Sequence, residues 1–517
     1  MKNNQLKPTI LLAFLFFATS LLAQQPNKQE LIFSAVKGTD SRPDSIVFSL
    51  KNGTIATTIS GENAASFKII SNEIIQRKTG KDQQMVLVFS PPNDFIGIAQ
   101  AKLVISNATG KAVSTIALRG LGLKGIEGEN EATLDNIVKT LGYQINVGWI
   151  TLANHSKPIL QGDEIATGSF QKAGEGKVVM IPVARFSPNF ELPFGYYINT
   201  SQGLQQHQVG VLAKTKKVLQ HSTLFPALSF GGTSFDPGKN TFGFYNTGPN
   251  HTAYSSDVWN QLYYAENVAH ATRIYPVKNK EGKLLPNTYL ICFEEAKNGD
   301  YNDYVFVVKN IKPIKESFTA LFNGKNLDGW NSFLQGKGVN KDNENNFMMQ
   351  NGVLHVRGKE LGYIRTLKNF ENYHFKVDFK WGEARWAPRD KEKRDAGICY
   401  NIPDKEPDSI WPKSAECQIQ EGDVGDFWLI DYATIVVDGK QNEPSAHTRM
   451  TKKQDAEKPT GEWNTVEVIS FNGRCVHIVN GVVVNAGDNA SAKNGSILLQ
   501  SEYAEVYYRN AEIREFK

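Results

Sequence analysis

The chain of 517 residues holds 43 glycines, 21 prolines and 11% aromatic residues, material for about three or four domains with their own cores at roughly 100–200 residues apiece. A formal net charge of +4 is small for this length, and no basic stripe interleaved with aromatics occurs, which argues against nucleic acid as a partner. Cys292, Cys399, Cys417 and Cys475 lie far apart without CxxC spacing, which argues against a zinc site and a dense disulfide framework; buried free thiols are expected, one bridge among the last three being the alternative.

In chain order, the opening "MKNNQLKPTILLAFLFFATSLLAQQ" sets Lys2 and Lys7 before an apolar run from Ile10 to Phe17. It reads as a cleavable signal peptide over 1–23, which predicts a periplasmic or secreted protein. The run is short for a bilayer crossing and no second one follows, so no transmembrane anchor is expected. From Leu31 to Leu123, short alternating segments such as "DSIVFSLKN" and "QMVLVFSPP" are separated by Gly, Asn and Pro turns, the pattern of a β-sandwich over 26–123. Its "ISGENAASFKI" and "STIALRGLG" resemble the immunoglobulin-like choice-of-anchor and Hydin-type modules, which implies a spacer or docking role.

Leu134, Ile137, Val138 and Leu141 recur at helical spacing before Gly142, predicting a helix over Ala132 to Leu141. Strand patterns such as "KVVMIPVARF" and "TFGFYN" then resume, giving a second β-rich domain over 124–314 with that one short helix. Near its end, "FEEAKNGDYNDYVF" sets Asp300, Asn302 and Asp303 beside Glu294 or Glu295. These are hard oxygen ligands of the kind Ca²⁺ takes, but without the spacing of an EF-hand the first reading is a solvated acidic cap; the alternative is a cation that pins a turn rather than performs chemistry.

The segment 316–517 opens with "FTALFNGKNLDGWNSF" and continues through many short strands, as in a jelly-roll sandwich. Asn480-Gly481 between alternating valines signals a two-residue hairpin. The polar runs Glu383 to Asp395 and Asp438 to Thr460 read as long loops. In "AECQIQ" the period of two puts Ala415, Cys417 and Ile419 on one face and Glu416, Gln418 and Gln420 on the other. "GSILLQSE" repeats this with Gln500 and Glu502. Any half-exposed strand alternates so, but two amide–carboxylate pairs that converge would suit a ligand rich in hydroxyls. Trp330, Trp381, Trp386, Trp411 and Trp428 offer flat faces for a pyranose, Trp381 being the substrate-binding candidate; core packing is the alternative for each. His477 alternates with Cys475 and Val479 and reads as structural, whereas His355, beside Arg357 on the polar face of "VLHVRG", is the better catalytic candidate. Glu421, Asp423 and Asp426 are expected to shape a turn.

Taken in order, "FTALFNGKNLDGW", "GVLHVRG", "GYIRT", "DAGICYNI", "WPKSAECQIQEGDVGDFW", "GEWNTVEVI", "VNGVVVN" and "LLQSEYAEVYYRNAEI" are similar to the 3-keto-disaccharide hydrolase family, over Phe318 to Lys517. The resemblance implies a concanavalin-like jelly roll acting on glycosides oxidised at sugar carbon 3. A ketone there acidifies the hydrogen on carbon 2, so a base can remove it and the carbon 1 substituent can leave by β-elimination, with water then adding back for net hydrolysis. On this reading Glu416 is the first choice for the base or a hydroxyl ligand and Glu502 is the second carboxylate. Gln418, Gln420 and Gln500 bind the sugar, and Arg357, Arg365 or a divalent cation stabilises the enolate. Many members carry aspartate-serine-glycine and then a strand ending in tyrosine-histidine; here the positions read Asp395-Ala396-Gly397 and Tyr400-Asn401, and Asn401 can hydrogen-bond a substrate but cannot serve as a base.

The expectation is therefore an all-β chain of three tandem β-sandwich domains, the last a concanavalin-like jelly roll that cleaves 3-keto-glycosides or 3-keto-disaccharides. No cofactor beyond a divalent cation is expected, and the partner is a carbohydrate. A carbohydrate-binding module without turnover is the first alternative, a structural or adhesive envelope protein the second.

Overall fold

The computed structural model describes residues 26–50, 56–77, 80–107, 109–126, 128–153, 159–200, 203–215, 221–249, 251–263, 268–404 and 407–516. The expected signal peptide lies outside the described residues. The fold is all-β, and the chain divides into two compact units, Met1–Gly122 and Leu123–Lys517. No helix among the described residues is long and apolar enough to cross a membrane.

In the first unit a four-stranded and a three-stranded sheet share one core, in which Leu31, Phe33, Leu103 and Leu118 from one sheet meet Ile46, Phe67, Leu87 and Phe89 from the other. The alternation read in the sequence explains this: every second residue of Glu30–Val36 is buried, so each strand offers one apolar face to its partner.

The second unit contains two such sheet pairs. In its first half a five-stranded and a six-stranded sheet enclose Phe194, Phe244, Ile291, Phe306 and Val308. The expected helix is observed as Leu134–Thr140, capped by Thr133 Oγ1, which accepts the Asn136 N–H at 3.1 Å. A second helix, Asp257–Tyr263, departs from the expectation of one. It is buried nearly all round, so it shows no amphipathic period, and Asn260 ties it down by bonding both the N–H and the carbonyl of Tyr254 at 2.8 Å.

The second half stacks an eight-stranded on a nine-stranded antiparallel sheet around Phe375, Val377, Val466 and Tyr508 on one side and Ile364, Ile398, Ile419 and Leu499 on the other. Asn480 and Gly481 turn the expected hairpin with φ of 49° and 80°. The run 438–460 is not all loop, because His447–Met450 pairs with Phe427–Ile430 at the edge of the nine-stranded sheet. The two halves share a smaller apolar cluster in which Trp259 lies edge-on to Phe471, 5.2 Å between ring centroids. The boundary expected near 314–316 therefore separates two sheet pairs but not two detached bodies.

Candidate active site

Asp395–Ile402 is a central strand of the nine-stranded sheet, flanked by Asn494–Ser501 and Ser414–Gln420. Ala396 and Ile398 point into the core and so do Cys417, Ile419 and Leu499. The alternate positions must face the other way, and register brings them together: Gly397 pairs Gln418, Cys399 pairs Glu416, Tyr363 pairs Gln500, and Asp395 bridges Glu502. The result is a cavity of about 130 Å³ lined by Asp395, Glu416, Gln418, Gln500 and Glu502, with Trp411, Trp428, Ile430 and His447 completing its wall.

Gly397 makes this convergence sterically feasible. A Cβ added there would fall 1.8 Å from Glu416 Oε1 and 2.4 Å from Gln500 Oε1, so both oxygens occupy the space over the glycine backbone. Gln500 Nε2 reaches Cys399 Sγ at 3.4 Å, whereas its Oε1 has no partner. Gln418 accepts the N–H of Ile419 at 3.0 Å through Oε1, which leaves its amino end for the cavity.

Cationic charge comes from Arg389. Its Nη1 donates to Glu502 Oε2 at 2.8 Å and its Nη2 to Asp395 Oδ2 at 2.6 Å, and Gln420 Nε2 donates to the same Asp395 oxygen at 2.7 Å. Asp395 Oδ1 is buried without a partner. The turn that carries Arg389 is anchored by Trp386, whose indole N–H donates to the Arg357 carbonyl at 3.0 Å and whose carbonyl accepts the Arg389 N–H at 3.0 Å.

The carboxyls differ in their charge environment. Burial, then the neighbouring Glu502 and Asp395, pushes Glu416 well above the ordinary carboxylate range. An unpaired ion in such a place costs several kcal/mol, so the site favours the protonated form of Glu416. Glu502 is pushed up to about 8 by burial and by Asp395, with Arg389 opposing the shift. Two neighbouring acids with separated proton affinities can divide acid and base work between them.

Six expected site residues do not line the cavity, and of these Gln420 touches it only through Asp395. His355 is on the eight-stranded sheet, stacked on Tyr507 with Nε2 2.8 Å from Glu505, on the face turned from the core. Arg357 on the same strand end donates Nη1 to the Glu344 carbonyl at 2.9 Å and serves the site through its carbonyl. Arg365 does not line the cavity; it donates to Ser496 Oγ at 2.6 Å and to the Pro403 carbonyl at 3.3 Å. Trp381 is a core side chain against Phe379. Asn401 follows a break in the strand's register, takes φ of 57° and turns inward, where it bonds Ser470 Oγ at 2.9 Å, the Ala492 carbonyl at 3.1 Å and the Tyr373 hydroxyl at 2.9 Å. His477 is buried between the Tyr400 hydroxyl and the Gly425 carbonyl, both at 2.9 Å. Glu421, Asp423 and Asp426 brace the turn through Arg394, Lys393 and Arg449.

Arg389 and His447 lie in runs read as polar loops, and nothing in their spacing points at the sheet. Asp395 was legible in principle, since it shares the period-two face with Gly397.

Residues 317–514 match the model of the 3-keto-alpha-glucoside-1,2-lyase-like domain. A candidate glycosyl hydrolase from Parabacteroides distasonis is similar at 22% identity, over 39% of this chain and 95% of that one, with a TM-score of 0.29. A beta-glucanase from Bacillus licheniformis is similar at 12% identity over 40% and 100%, TM-score 0.27. A carbohydrate-binding module from Bacillus subtilis is similar at 9% identity over 36% and 96%, TM-score 0.25. A comparison with curated proteins finds no match.

Proposed function

We propose that the 3-keto-alpha-glucoside-1,2-lyase-like domain at 317–514 cleaves glycosides oxidised at sugar carbon 3, with chemistry performed in the cavity between Glu416 and Glu502. The observation that carries this reading is the convergence of three carboxyls, two amides and one arginine on a single cavity. Glu502, held by Arg389 and titrating at about 8, takes the proton from carbon 2 as its C–H bond breaks. The electron pair moves to the carbon 3 oxygen, and the Gln418 amino group supplies the donor for the developing enolate. As the enolate collapses, the carbon 1–oxygen bond breaks and neutral Glu416 gives its proton to the leaving oxygen. The products are a 1,2-unsaturated 3-keto sugar and the free aglycone. Addition of water across that double bond reverses both proton transfers and returns the two acids to their starting states. Gln500 Oε1, without a partner, accepts a sugar hydroxyl. This division makes Glu416 the acid rather than the base or hydroxyl ligand first favoured from the sequence, because burial and the neighbouring carboxyls favour its protonated form. An exported location remains part of the proposal, resting on the opening 23 residues.

Incubating the full chain with a 3-keto-glucoside and with the unoxidised glycoside tests the reading. Aglycone released from the keto substrate alone is the expected result. The wall of Trp411 and Trp428 favours a second reading, sugar binding without turnover: retardation in a polysaccharide gel with no release from either glycoside would decide for it.

A further inference from the structure

A second group of carboxyls, away from the cavity, occupies the turn between the strands Leu284–Phe293 and Tyr304–Lys309. Glu294, Asp300 and Asp303 are all buried, and each offers one oxygen so that the oxygens lie within 4.8 Å of one another. That spread is about the diameter of a coordination sphere whose oxygens stand roughly 2.3–2.6 Å from a central Ca²⁺. The oxygens are held in place from behind: Glu294 accepts the N–H groups of Ala296 at 2.8 Å and Tyr301 at 3.1 Å, and Asp303 accepts the Glu295 N–H at 2.7 Å. Glu295 itself is turned away to the Tyr304 hydroxyl. Among the described residues no lysine, arginine or histidine pairs with any of the three.

An independent observation comes from Asn302. This wholly buried residue brings its N–H to 3.5 Å from Asp300 Oδ1 and donates Nδ2 to the Ala132 carbonyl at 2.7 Å. The nitrogen end is tied to Ala132, and Oδ1 is buried with no partner. A buried amide oxygen without a donor costs free energy unless something positive faces it.

We propose that Glu294, Asp300, Asp303 and the Asn302 amide oxygen hold one divalent cation, Ca²⁺ by the all-oxygen donor set, which fastens the turn to the chain at Ala132 ahead of the first helix. The donors contain no nitrogen or sulfur that would select a transition metal.

The test uses the full chain stripped with a chelator and titrated with Ca²⁺ alone. One Ca²⁺ bound per chain by calorimetry and a melting temperature raised by about 5 °C at a hundredfold excess over the dissociation constant are expected. Asp303→Asn should match the wild type in chelator, since it removes one of three crowded charges, yet lose the calcium response. If that variant does not fold, terbium emission sensitised by Tyr301 and Tyr304 in the wild type, displaced by Ca²⁺, reads the same site. A wild-type chain with neither binding heat nor a shift in melting temperature, or an Asp303→Asn chain with an undiminished calcium response, overturns the proposal.

Discussion

The two acidic groups of the second unit are built from similar parts and resolve their charge differently. Around the cavity, Asp395 and Glu502 share Arg389, and Glu416 is left without a cation. In the turn, Glu294, Asp300 and Asp303 are buried together, and none of them pairs with a basic side chain among the described residues. Fixed arginine charge beside an open volume leaves protons free to move, the condition for acid–base work. Buried carboxyl oxygens held close together with no basic partner among the described residues suit one hard cation, the condition for a rigid fastening. Carboxylate count alone therefore says little about role; what neutralises the group, and whether there is room beside it, says more.

The largest effect that would break this contrast is loss of the acid. Glu416→Gln should lower kcat on a 3-keto-glucoside by roughly 10²–10⁴-fold with the fold intact by circular dichroism, and an active variant would remove Glu416 from the chemistry. Gly397→Ala should come next, at about 10–100-fold in kcat/KM, because its Cβ displaces Glu416 Oε1 and Gln500 Oε1. Arg389→Met sharpens the comparison by taking away the cation. The ascending limb of the pH–rate profile, set by Glu502 at about 8, should move to higher pH, since Arg389 favours the ionised form. Stability should also fall by roughly 1–3 kcal/mol in urea, less than for a fully buried pair because 26% of the arginine side chain is exposed.

Linkage gives a further check. The Glu502 affinity for protons is raised in the folded state, so its contribution is fully present below the unfolded value near ~4.3 and is lost as pH rises to about 8. Glu502→Gln should flatten that decline in a series of urea melts from acid to weakly alkaline pH. The smallest effect is expected from His355→Ala, less than about twofold in kcat/KM, because its ring rests on Tyr507 on the opposite sheet. A larger loss would reopen the eight-stranded sheet as part of the site.

Alternation in "AECQIQ" and "GSILLQSE" made the cavity floor legible, since a period of two states which side chains share a face. It does not state which sheet a strand joins, and His355 and Arg357 have the right alternation on the wrong sheet. Nor does it register an inserted residue: Asn401 continues the polar face on paper, but the irregularity between Cys399 and Ile402 rotates it into the interior. Trp381 shows the limit for aromatics, whose size suits both a sugar platform and a core. Arg389 and His447 reach the cavity through chain segments whose paths depend on tertiary contacts, such as Trp386 on Arg357. The fold class was the more legible part, because turn residues at short regular intervals constrain it directly.

Cys399 lies on the cavity's side of the sheet beside Gln500, wholly buried, with its thiol pushed up by burial and by Glu416. Alkylating reagents attack the ionised thiol from solvent, so in the closed sheet this sulfur is shielded twice over. Its labelling rate is consequently a clock for how often the strands around Gly397 separate, and a sugar that seats on the floor should slow that clock even where no bond is broken.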